Sequence, residues 1–353
     1  MQENYIYCIG LMSGTSLDGI DLAYIKMNKQ SYCDFKILKA DTIPYSSEWK
    51  KKLQEAITYK KSDLVTLDVA YGELLGGVLN NFVESHSIDN LDFIASHGHT
   101  ILHQPENGIT LQIGNGQVIA NRTKQKVVCD FRTQDVQLGG QGAPLVPIGD
   151  KLLFANYDYC LNLGGFANIS YEKDNQRIAF DICPVNIVLN HYTRKIGLEY
   201  DNEGKIASEG KINTELLRRL NELPFYQELH PKSLGLEWVK ENIFPLIDQY
   251  ENDIPTILRT FVEHVAMQVG SVIDKDSTIL ATGGGAFNTF LMNTIEFYAQ
   301  TTIQQVSKEL INYKEALIFA FLGLLRLENQ VNCLKSVTGA SKDHSSGKVF
   351  LCC

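Results

Sequence analysis

The sequence predicts an α/β protein of two domains, and three observations carry this prediction. A chain of 353 residues is longer than one hydrophobic core usually organises. Short apolar runs typical of strands alternate with longer stretches of helical periodicity, which is the layer pattern of α/β proteins. The succession strand, glycine turn, strand, strand, helix occurs twice, beginning near residues 5 and 157. Such a recurrence indicates an internal duplication of one supersecondary unit.

The first domain opens with two apolar runs, residues 5–9 and 20–25, on either side of a turn rich in Gly, Ser and Thr. A long helix is predicted from an N-cap at Ser62 to about His86, because its apolar residues recur at helical spacing. A stretch rich in Gly and Pro at 138–147 marks a hinge or a boundary.

The second copy of the unit has predicted strands at 157–163, 167–171 and 178–182, followed by a helix whose first turn contains Pro184. We expect one domain over 1–128 and a second over 129–329, with the C-terminal segment 330–353 packing back on the first.

Composition excludes several classes of function. A net charge of −9 opposes binding to nucleic acid or to a membrane surface, since both need a basic face. No apolar run approaches the ~18 residues of a membrane span, and an immediate N-terminal strand predicts no signal peptide. Eight cysteines without disulfide spacing indicate reduced thiols. The expected location is the cytoplasm.

Three glycine turns lie at predicted strand ends, at residues 14–19, at 164–165 and at 283–285. Backbone N–H groups in such turns can converge on a phosphate, and glycine lets a nucleotide approach the backbone closely. No Lys-Ser/Thr pair follows any of them, so none is a Walker A loop. The first turn alone is equally compatible with an ordinary surface hairpin, and only the set of three favours a nucleotide.

Two charged residues are candidates for chemistry. Asp181 ends a predicted strand just before the helix at Pro184, whose positive end would keep the carboxylate ionised for work as a general base. The alternative for Asp181 is a simple helix cap. Arg132 is one of few cations near the turns and would hold a substrate oxygen or phosphate. Its alternative is a structural salt bridge to Asp130 or Asp135.

Three histidines, His97, His99 and His103, are close enough in sequence to be candidate zinc ligands. No acidic residue accompanies them at helical spacing, so a polar pocket wall or a structural role is preferred. We expect no metal ligand set among the side chains.

Several motifs of the chain together resemble the anhydro-N-acetylmuramic acid kinase family. They cover nearly the whole chain and read GLMSGTSLDGID, SHGHTILHQP, TLQIG, DFRTQDVQLGGQGAPLVP, NLGGFAN, DNEGKIASEG, PKSLGLE, GGGAFN and VTGAS. The resemblance implies two ribonuclease-H-like domains of the actin-like ATPase fold around a central nucleotide cleft. It also implies that water, activated by an enzymatic base, opens the 1,6-anhydro bridge while ATP phosphorylates the freed O6, a step of peptidoglycan recycling.

The resemblance assigns roles to residues of this chain. Asp181 becomes the catalytic base, with Arg132 and Glu315 at the sugar, and the sugar would also contact Ser13, His97 and Gln112. The implied ATP-binding residues are Gly14, Thr15, Ser16, Leu17, Asp18, Gly19, Ile20, Asp21, Gly164, Gly165, Asn168, Gly283, Gly284, Gly285 and Asn288. Mg²⁺ is expected with ATP, and Asp18 or Asp21 would orient its waters. A homodimer is a further expectation.

The sequence departs from the family at two places. The family pattern Asp-Thr-Gly-Pro-Gly-Asn is here Asp-Ile-Cys-Pro-Val-Asn at 181–186, so a hydroxyl and two glycines are replaced. Phe287 stands where the family often has His. A second hypothesis is therefore a degenerate member that binds nucleotide without turnover or acts on another sugar. A third, a metal hydrolase built on the histidines, leaves the glycine turns unexplained.

Overall fold

The computed structural model describes residues 4–14, 17–304 and 306–353. The chain divides into two compact units. Unit 1 comprises Met1–Leu153 together with Tyr313–Cys353, and unit 2 comprises Phe154–Asn312. Among the described residues, no helix combines the length and the apolar character needed to cross a membrane.

Unit 1 contains a six-stranded sheet and a separate two-stranded sheet. The strands in chain order are β1 (Tyr5–Met12), β2 (Ile20–Asn28), β3 (Phe35–Ile43), β4 (Phe93–Ser96), β5 (His99–Gln104), β6 (Ile109–Ile113), β7 (Val127–Cys129) and, from the C-terminal segment, β13 (Lys348–Phe350). The main sheet has the order β13-β7-β4-β1-β2-β3, and β5 pairs with β6. Strands β1, β2 and β3 form an antiparallel meander, whereas β1, β4 and β7 are parallel.

The helices of unit 1 cover the sheet and connect its parallel strands. They are α1 (Ser47–Glu55), α2 (Lys61–Ser85), α3 (Gly116–Thr123), α4 (Thr133–Gln137), α5 (Pro147–Leu153), the part of α13 (Lys308–Leu327) from residue 313 onward, and α14 (Lys335–Thr338). Apolar residues of α2 pack with those of β1, β2 and β4 in one core. The repeat of buried positions along α2, such as Leu67, Tyr71 and Leu75, is the helical period that the sequence displays.

Unit 2 contains a five-stranded sheet. Its strands are β8 (Tyr159–Leu163), β9 (Phe166–Lys173), β10 (Gln176–Pro184), β11 (Ile279–Thr282) and β12 (Ile303–Gln304), in the order β10-β9-β8-β11-β12. Its helices are α6 (Asn186–Arg194), α7 (Lys205–Glu209), α8 (Thr214–Asn221), α9 (Leu236–Trp238), α10 (Phe244–Tyr250), α11 (Ile254–Gly270) and α12 (Thr289–Ala299). The buried α11 packs in the core with the strands β8 and β11.

The two units share one topology. In each, three antiparallel strands are followed by two parallel ones, so the strand order is 3-2-1-4-5 by position within the unit. This order is that of the ribonuclease-H-like fold, present twice, as in actin-like ATPases. The first and second strands of the two sheets, β1 with β2 and β8 with β9, are antiparallel neighbours, and glycine-containing segments of the sequence separate them. The internal duplication predicted from the sequence therefore has a structural counterpart.

The unit boundaries differ from the expected division after residues 128 and 329. Residues 129–153 and 313–329 belong to unit 1. The reason is local packing: Lys314 of α13 forms a buried ion pair with Asp150 of α5 at 2.7 Å, and the backbone of Ala316 lies against Gly10 of β1. The C-terminal segment also belongs to unit 1, and its strand β13 pairs with β7.

Two other details of the sequence prediction require correction. Helix α2 begins at Lys61 after Lys60, so Ser62 lies inside the first turn and is not the N-cap. The hydroxyl of Ser62 donates a hydrogen bond to the neighbouring Asp63 carboxylate. Pro184 is the last residue of β10 and not a first-turn residue of α6, which begins at Asn186.

We predict that Gly10→Ala destabilises the protein by about 1–3 kcal/mol, the usual cost of overpacking a core. A Cβ at Gly10 would collide with the carbonyl group of Ala316, and a helix backbone cannot swing aside as a side chain can. Thermal or urea denaturation would measure the change. The matched control is Gly77→Ala in α2, where a Cβ meets nothing within 4 Å. There Ala should stabilise by roughly 0.5–1 kcal/mol. Equal effects of the two substitutions would contradict the packing argument.

Candidate functional site

The carboxyl ends of three parallel strands in unit 1 lie at one edge of its sheet. Ser13 follows β1, His97 follows β4, and Arg132 comes shortly after β7. Open α/β sheets bind ligands at this edge because the loops after the strands converge there. Ser13 and His97 are buried, and the Ser13 hydroxyl donates to the Gly98 carbonyl at 2.9 Å.

The guanidinium of Arg132 is held from two sides. Its Nε and Nη2 donate to His97 Nε2 at 3.1 and 2.9 Å, and its Nη1 donates to the Gly142 carbonyl at 2.7 Å. His97 Nδ1 donates to the Gly98 carbonyl at 2.9 Å, which leaves Nε2 as the acceptor that Arg132 requires. Burial and the adjacent guanidinium hold the pKa of His97 well below its usual value. His97 is therefore a neutral, fixed acceptor that orients Arg132.

Among the described residues, Arg132 forms no salt bridge with Asp130 or Asp135, which was the alternative to a role in binding. Asp130 pairs with Lys348 at 2.7 Å, and Asp135 accepts the Gly142 N–H at 2.7 Å. Burial lowers the pKa of Arg132 to about 10, and the nearby Glu315 carboxylate opposes that shift. Arg132 remains a cation at neutral pH.

The histidine motif does not assemble into a metal site among the described residues. Both ring nitrogens of His97 are engaged as above. His99, in β5, is buried against the ring of Tyr71, and burial lowers its pKa to about 4. His103 contacts the Thr110 hydroxyl at 3.2 Å. The three histidines thus have separate roles. His97 precedes β5, and a register shift between Thr100 and Leu102 interrupts the alternation of β5, so His99 is buried and His103 is exposed.

Two carboxylates of unit 1, Glu315 and Asp21, interact electrostatically with each other, and Glu315 also interacts with Arg132. Desolvation by the surrounding protein raises the pKa of Glu315, and the charge of Asp21 raises it further. The charges of Lys314 and Arg132 lower it. The side chain of Glu315 keeps solvent access. Asp21, near the start of β2, accepts the Thr42 hydroxyl at 2.6 Å, and its pKa is raised by burial and by Asp18.

The residues predicted to bind ATP at 14–21 differ in burial and in backbone conformation. Thr15 and Ser16, both predicted to bind ATP, lie outside the described residues. Leu17 has a left-handed backbone with φ of 59°, and a Cβ at Gly19 would meet the Ile43 carbonyl at 2.8 Å. Asp18 is exposed. The remaining predicted positions of this turn are the half-buried Gly14 and Ile20, whose side chain is buried in the core.

Gln112 lies apart from the main sheet, on β6. Its Nε2 donates to the hydroxyls of Thr110 at 2.9 Å and Thr100 at 3.4 Å. Its Oε1 is buried and accepts no hydrogen bond from the described residues. An unsatisfied buried acceptor is costly unless a ligand or water supplies a donor.

Unit 2 repeats the same edge geometry around Asp181. Strands β8, β10 and β11 all have their carboxyl ends at one edge, because β10 and β8 are each antiparallel to β9. Asn162, Asn168 and Asp181 are direct neighbours across β8, β9 and β10, so their side chains share one face of the sheet. The result is a polar row that ends in a carboxylate.

The Asp181 carboxylate is oriented by a loop and not by a helix. Its Oδ2 accepts the Leu234 N–H at 2.8 Å, and its own N–H donates to the Lys232 carbonyl at 3.1 Å. The expectation that the N-terminus of α6 holds Asp181 is therefore corrected, as is its alternative as a cap of that helix. Burial raises the pKa of Asp181, and the Leu234 N–H opposes the shift.

The residues that replace the family's glycines after Asp181 point into the protein. Cys183 and Val185 are both 0 % exposed and belong to the core of unit 2. Neither residue has a positive φ. The side chains by which this chain differs from the family pattern therefore fill space in the core of unit 2.

The glycine turns of unit 2 pack against each other. A Cβ at Gly283 would lie 2.6 Å from Asn162 Oδ1, and one at Gly285 would lie 2.7 Å from Leu163 Cβ. The Asn186 amide donates to the carbonyls of Leu163 and Gly164 at 3.0 and 2.8 Å. Gly283 and Gly285 are thus required by close packing, and the Gly165 carbonyl accepts the Val185 N–H at 2.8 Å.

A cavity of about 780 Å³ lies within unit 2, in the size range of small-molecule sites. Of the predicted nucleotide-binding residues, Gly284 and Asn288 line it, and Asn288 also caps α12 by accepting the Leu291 N–H at 3.0 Å. Sequence reasoning missed Glu203, Met292 and Lys308, which line the same cavity. Only the fold brings their three chain segments together.

Two ribonuclease-H-like units, each with polar side chains at the carboxyl edge of its sheet, define the class of the protein as one of the actin-like ATPase fold. The chain belongs to the anhydro-N-acetylmuramic acid kinase family, whose model matches residues 6–352.

Relatives with that name cover nearly the full length of the chain. The anhydro-N-acetylmuramic acid kinase of Zymomonas mobilis subsp. mobilis is 33% identical over 369 residues, which cover 97% of this chain and 98% of the relative. The protein of that name from Haemophilus influenzae is 32% identical over 378 residues, with 98% and 97% covered. A solved xylulose kinase from Lactobacillus acidophilus covers 98% of this chain and 94% of its own at 12% identity, with a TM-score of 0.45.

Proposed function

We propose that this protein is an ATP-dependent kinase that opens 1,6-anhydro-N-acetylmuramic acid with water and phosphorylates the freed O6. The products are N-acetylmuramic acid 6-phosphate and ADP. Membership of the family supports the substrate, and the carboxylate of Asp181 is the observation that carries the chemistry. One of its oxygens is fixed by the Leu234 N–H. The other accepts no hydrogen bond from the described residues, so it is free to take a proton from water.

In the proposed reaction, water opens the anhydro bridge and ATP phosphorylates the oxygen that is released. Asp181 removes a proton from water as the water oxygen attacks the anomeric carbon, and the bond from that carbon to O6 breaks. The O6 oxygen attacks the γ-phosphorus of ATP, and ADP leaves. Asp181 then returns its proton to solvent. Burial that raises the pKa of Asp181 makes it a stronger base than an ordinary aspartate, which supports this role.

On unit 1, we assign sugar contacts to Arg132, Glu315, His97, Ser13 and Gln112. The guanidinium of Arg132 is pre-positioned by His97 and Gly142, so little ordering remains to be done when an oxygen of the sugar binds. The unsatisfied Oε1 of Gln112 supports a role as acceptor for a sugar hydroxyl or amide. The exposed carboxylate of Glu315 supports an acceptor role as well.

For ATP, we assign the phosphates to the turns at 14–21, 164–165 and 283–285, with Asn168 and Asn288 as further contacts. The cavity lined by Gly284 and Asn288 is large enough for a nucleoside. Mg²⁺ would neutralise phosphate charge in the transfer. Asp18 and Asp21 fit that ion, because their mutual repulsion contributes to the raised pKa of Asp21 and a cation would relieve it.

The deciding experiment supplies ATP and 1,6-anhydro-N-acetylmuramic acid in water enriched in ¹⁸O. The proposal expects ADP, a 6-phosphate detected by ³¹P NMR, and one solvent oxygen at the anomeric carbon. Nucleotide binding without turnover would instead favour the degenerate member, and phosphorylation of another sugar alone would reassign the substrate. The core positions of Cys183 and Val185 support turnover, since they leave the polar row unchanged.

The pH dependence of kcat/KM provides a further prediction. The base acts only when ionised, so activity should fall as pH decreases through the pKa of Asp181 in the free enzyme. Because burial raises that pKa above 3.8, the acid limb should lie above the range of an ordinary aspartate. His97 should add no limb near neutrality, because its pKa is held well below 6.5. An acid limb at or below 3.8 would contradict the assignment of Asp181.

We also propose that the protein acts in the cytoplasm, in recycling of cell-wall sugars, and that it forms a homodimer. The substrate class supports the first two statements, since an anhydro sugar of this kind is a fragment of peptidoglycan. Light scattering coupled to size exclusion would measure the oligomeric state.

A further inference from the structure

A buried cluster in unit 1, outside the residues assigned to catalysis, contains Asp135, Cys333 and His344. One ligand-type atom of each lies within 4.8 Å of the corresponding atoms of the other two. All three residues are buried, with Asp135 at 0 %, Cys333 at 2 % and His344 at 5 % exposed. A carboxylate, a thiol and an imidazole in one buried place form a donor set that zinc prefers.

The imidazole of His344 is the decisive feature. Its Nδ1 lies 3.1 Å from the Lys342 carbonyl, which can only accept, so Nδ1 carries the proton. The lone pair of Nε2 then points into the cluster, and Nε2 has no hydrogen-bond partner among the described residues. It lies 3.6 Å from Oδ1 of Asp135. Two acceptors at that distance repel unless a proton or a cation lies between them.

The other two side chains are oriented in the way that metal ligands usually are. Asp135 Oδ1 accepts the Thr338 hydroxyl at 2.7 Å, and Oδ2 accepts the Gly142 N–H at 2.7 Å. Cys333 and His344 exchange backbone hydrogen bonds at 3.1 and 3.2 Å, which places their side chains on one face of a two-residue bridge. Such supporting bonds fix ligand direction and tautomer at protein metal sites.

The separation of the imidazole nitrogen and the carboxylate oxygen suits two ligands of a tetrahedral ion. Two ligands about 2.1 Å from zinc at the tetrahedral angle are separated by about 3.4 Å, close to the 3.6 Å between His344 Nε2 and Asp135 Oδ1. We propose that Asp135, Cys333 and His344 bind one Zn²⁺ ion, with water in the fourth position. Binding releases the thiol proton of Cys333 to solvent, and no electron is transferred.

The proposed ion has a structural consequence. It would fix the C-terminal segment that carries Cys333 and His344 to α4, which contains Asp135, and so to the loop that follows α4. That loop contains Gly142, whose carbonyl accepts from Arg132. The proposal is independent of the phosphoryl transfer, since metal content can be measured whether or not the protein turns over the anhydro sugar.

The test uses full-length protein purified without a metal-affinity step. Elemental analysis should find about one zinc per chain. After the zinc is removed with a chelator, Co²⁺ should restore binding and produce a thiolate-to-cobalt charge-transfer band. Cys333→Ser should abolish that band, and His344→Gln should weaken Co²⁺ binding at least about 10-fold, since even changes outside a ligand set cost 10–100-fold. Cys8→Ala, at another fully buried cysteine of unit 1, should leave both unchanged.

Two outcomes would overturn the proposal. Wild-type protein that contains no zinc and gives no thiolate band with Co²⁺ would indicate a buried imidazolium–carboxylate pair instead. A band that persists in Cys333→Ser would place the cobalt elsewhere. The wild-type cobalt spectrum needs no substitution, so it decides the matter even when a variant fails to fold.

Discussion

Replacing Asp181 with Asn is expected to lower kcat by about 10²- to 10⁴-fold, the contribution of a positioned general base. The amide has nearly the shape of the carboxylate and still accepts the Leu234 N–H, but it cannot take a proton from water. Because the lost interaction acts in the transition state, KM should change far less than kcat. Steady-state kinetics with both substrates, together with direct measurement of nucleotide affinity, would separate the two.

The same substitution should not reduce stability. Burial raises the pKa of Asp181, so the folded protein holds the proton more tightly than the unfolded chain does. Stability therefore falls as pH rises from the unfolded pKa of about 3.9 through the folded pKa, and at pH 7 the ionised carboxylate costs stability. Asn removes that cost, and we expect an equal or higher Tm for Asp181→Asn at pH 7.

The matched control is Asp174→Asn, in the turn between β9 and β10. Asp174 is exposed and has φ of 51°, a conformation that Asn also adopts readily. This variant should keep wild-type kcat. Asp181→Asn with normal turnover, or Asp174→Asn with an equal loss, would remove Asp181 from the role of base.

Replacing Arg132 with Lys is expected to lower kcat/KM by about 10²- to 10³-fold, the scale of losing one preorganised donor. The charge is kept, but one ammonium cannot reproduce the fork that reaches His97 Nε2 on one side and the Gly142 carbonyl on the other. Lysine is therefore not a conservative replacement at this position. The side chain would lose the direction that these two contacts fix.

The measurement is kcat/KM for the anhydro sugar at saturating ATP, with circular dichroism to verify folding. Arg122→Lys is the control, because Arg122 is half exposed and meets Glu73 only at 3.7 Å; such surface pairs contribute little. Activity of Arg132→Lys within about 2-fold of wild type would show that charge alone is sufficient and that the fork is not used.

Much of the fold could be predicted because its signals are local. The apolar runs that become β1, β2 and β8, the glycines between them and the helical period of α2 are each contained in a few consecutive residues. The duplication was visible for the same reason. Strand β5 was not predicted, since its partner β6 supplies the pairing that makes residues 99–104 extended.

The candidate site was predictable only as a set of residue types. The sequence predicts functional roles for Asp181 and Arg132, but it does not give the hydrogen-bond partners that orient them. The partner of Asp181 is Leu234 and not the helix after Pro184, and Arg132 is held by His97 and not by an aspartate. Hydrogen bonds between residues 35 or 53 positions apart leave no periodic trace in a sequence.

The sequence by itself therefore determined the class of fold, its duplication, the glycine turns and the identity of the charged side chains, because these depend on short-range pattern and composition. Only the tertiary structure decided which of those side chains meet. It put Cys183 and Val185 into the core, oriented Arg132 through a neutral histidine, and brought Cys333 and His344 to Asp135 across some two hundred residues. Such contacts arise from the packing of strands and helices that are distant in the chain.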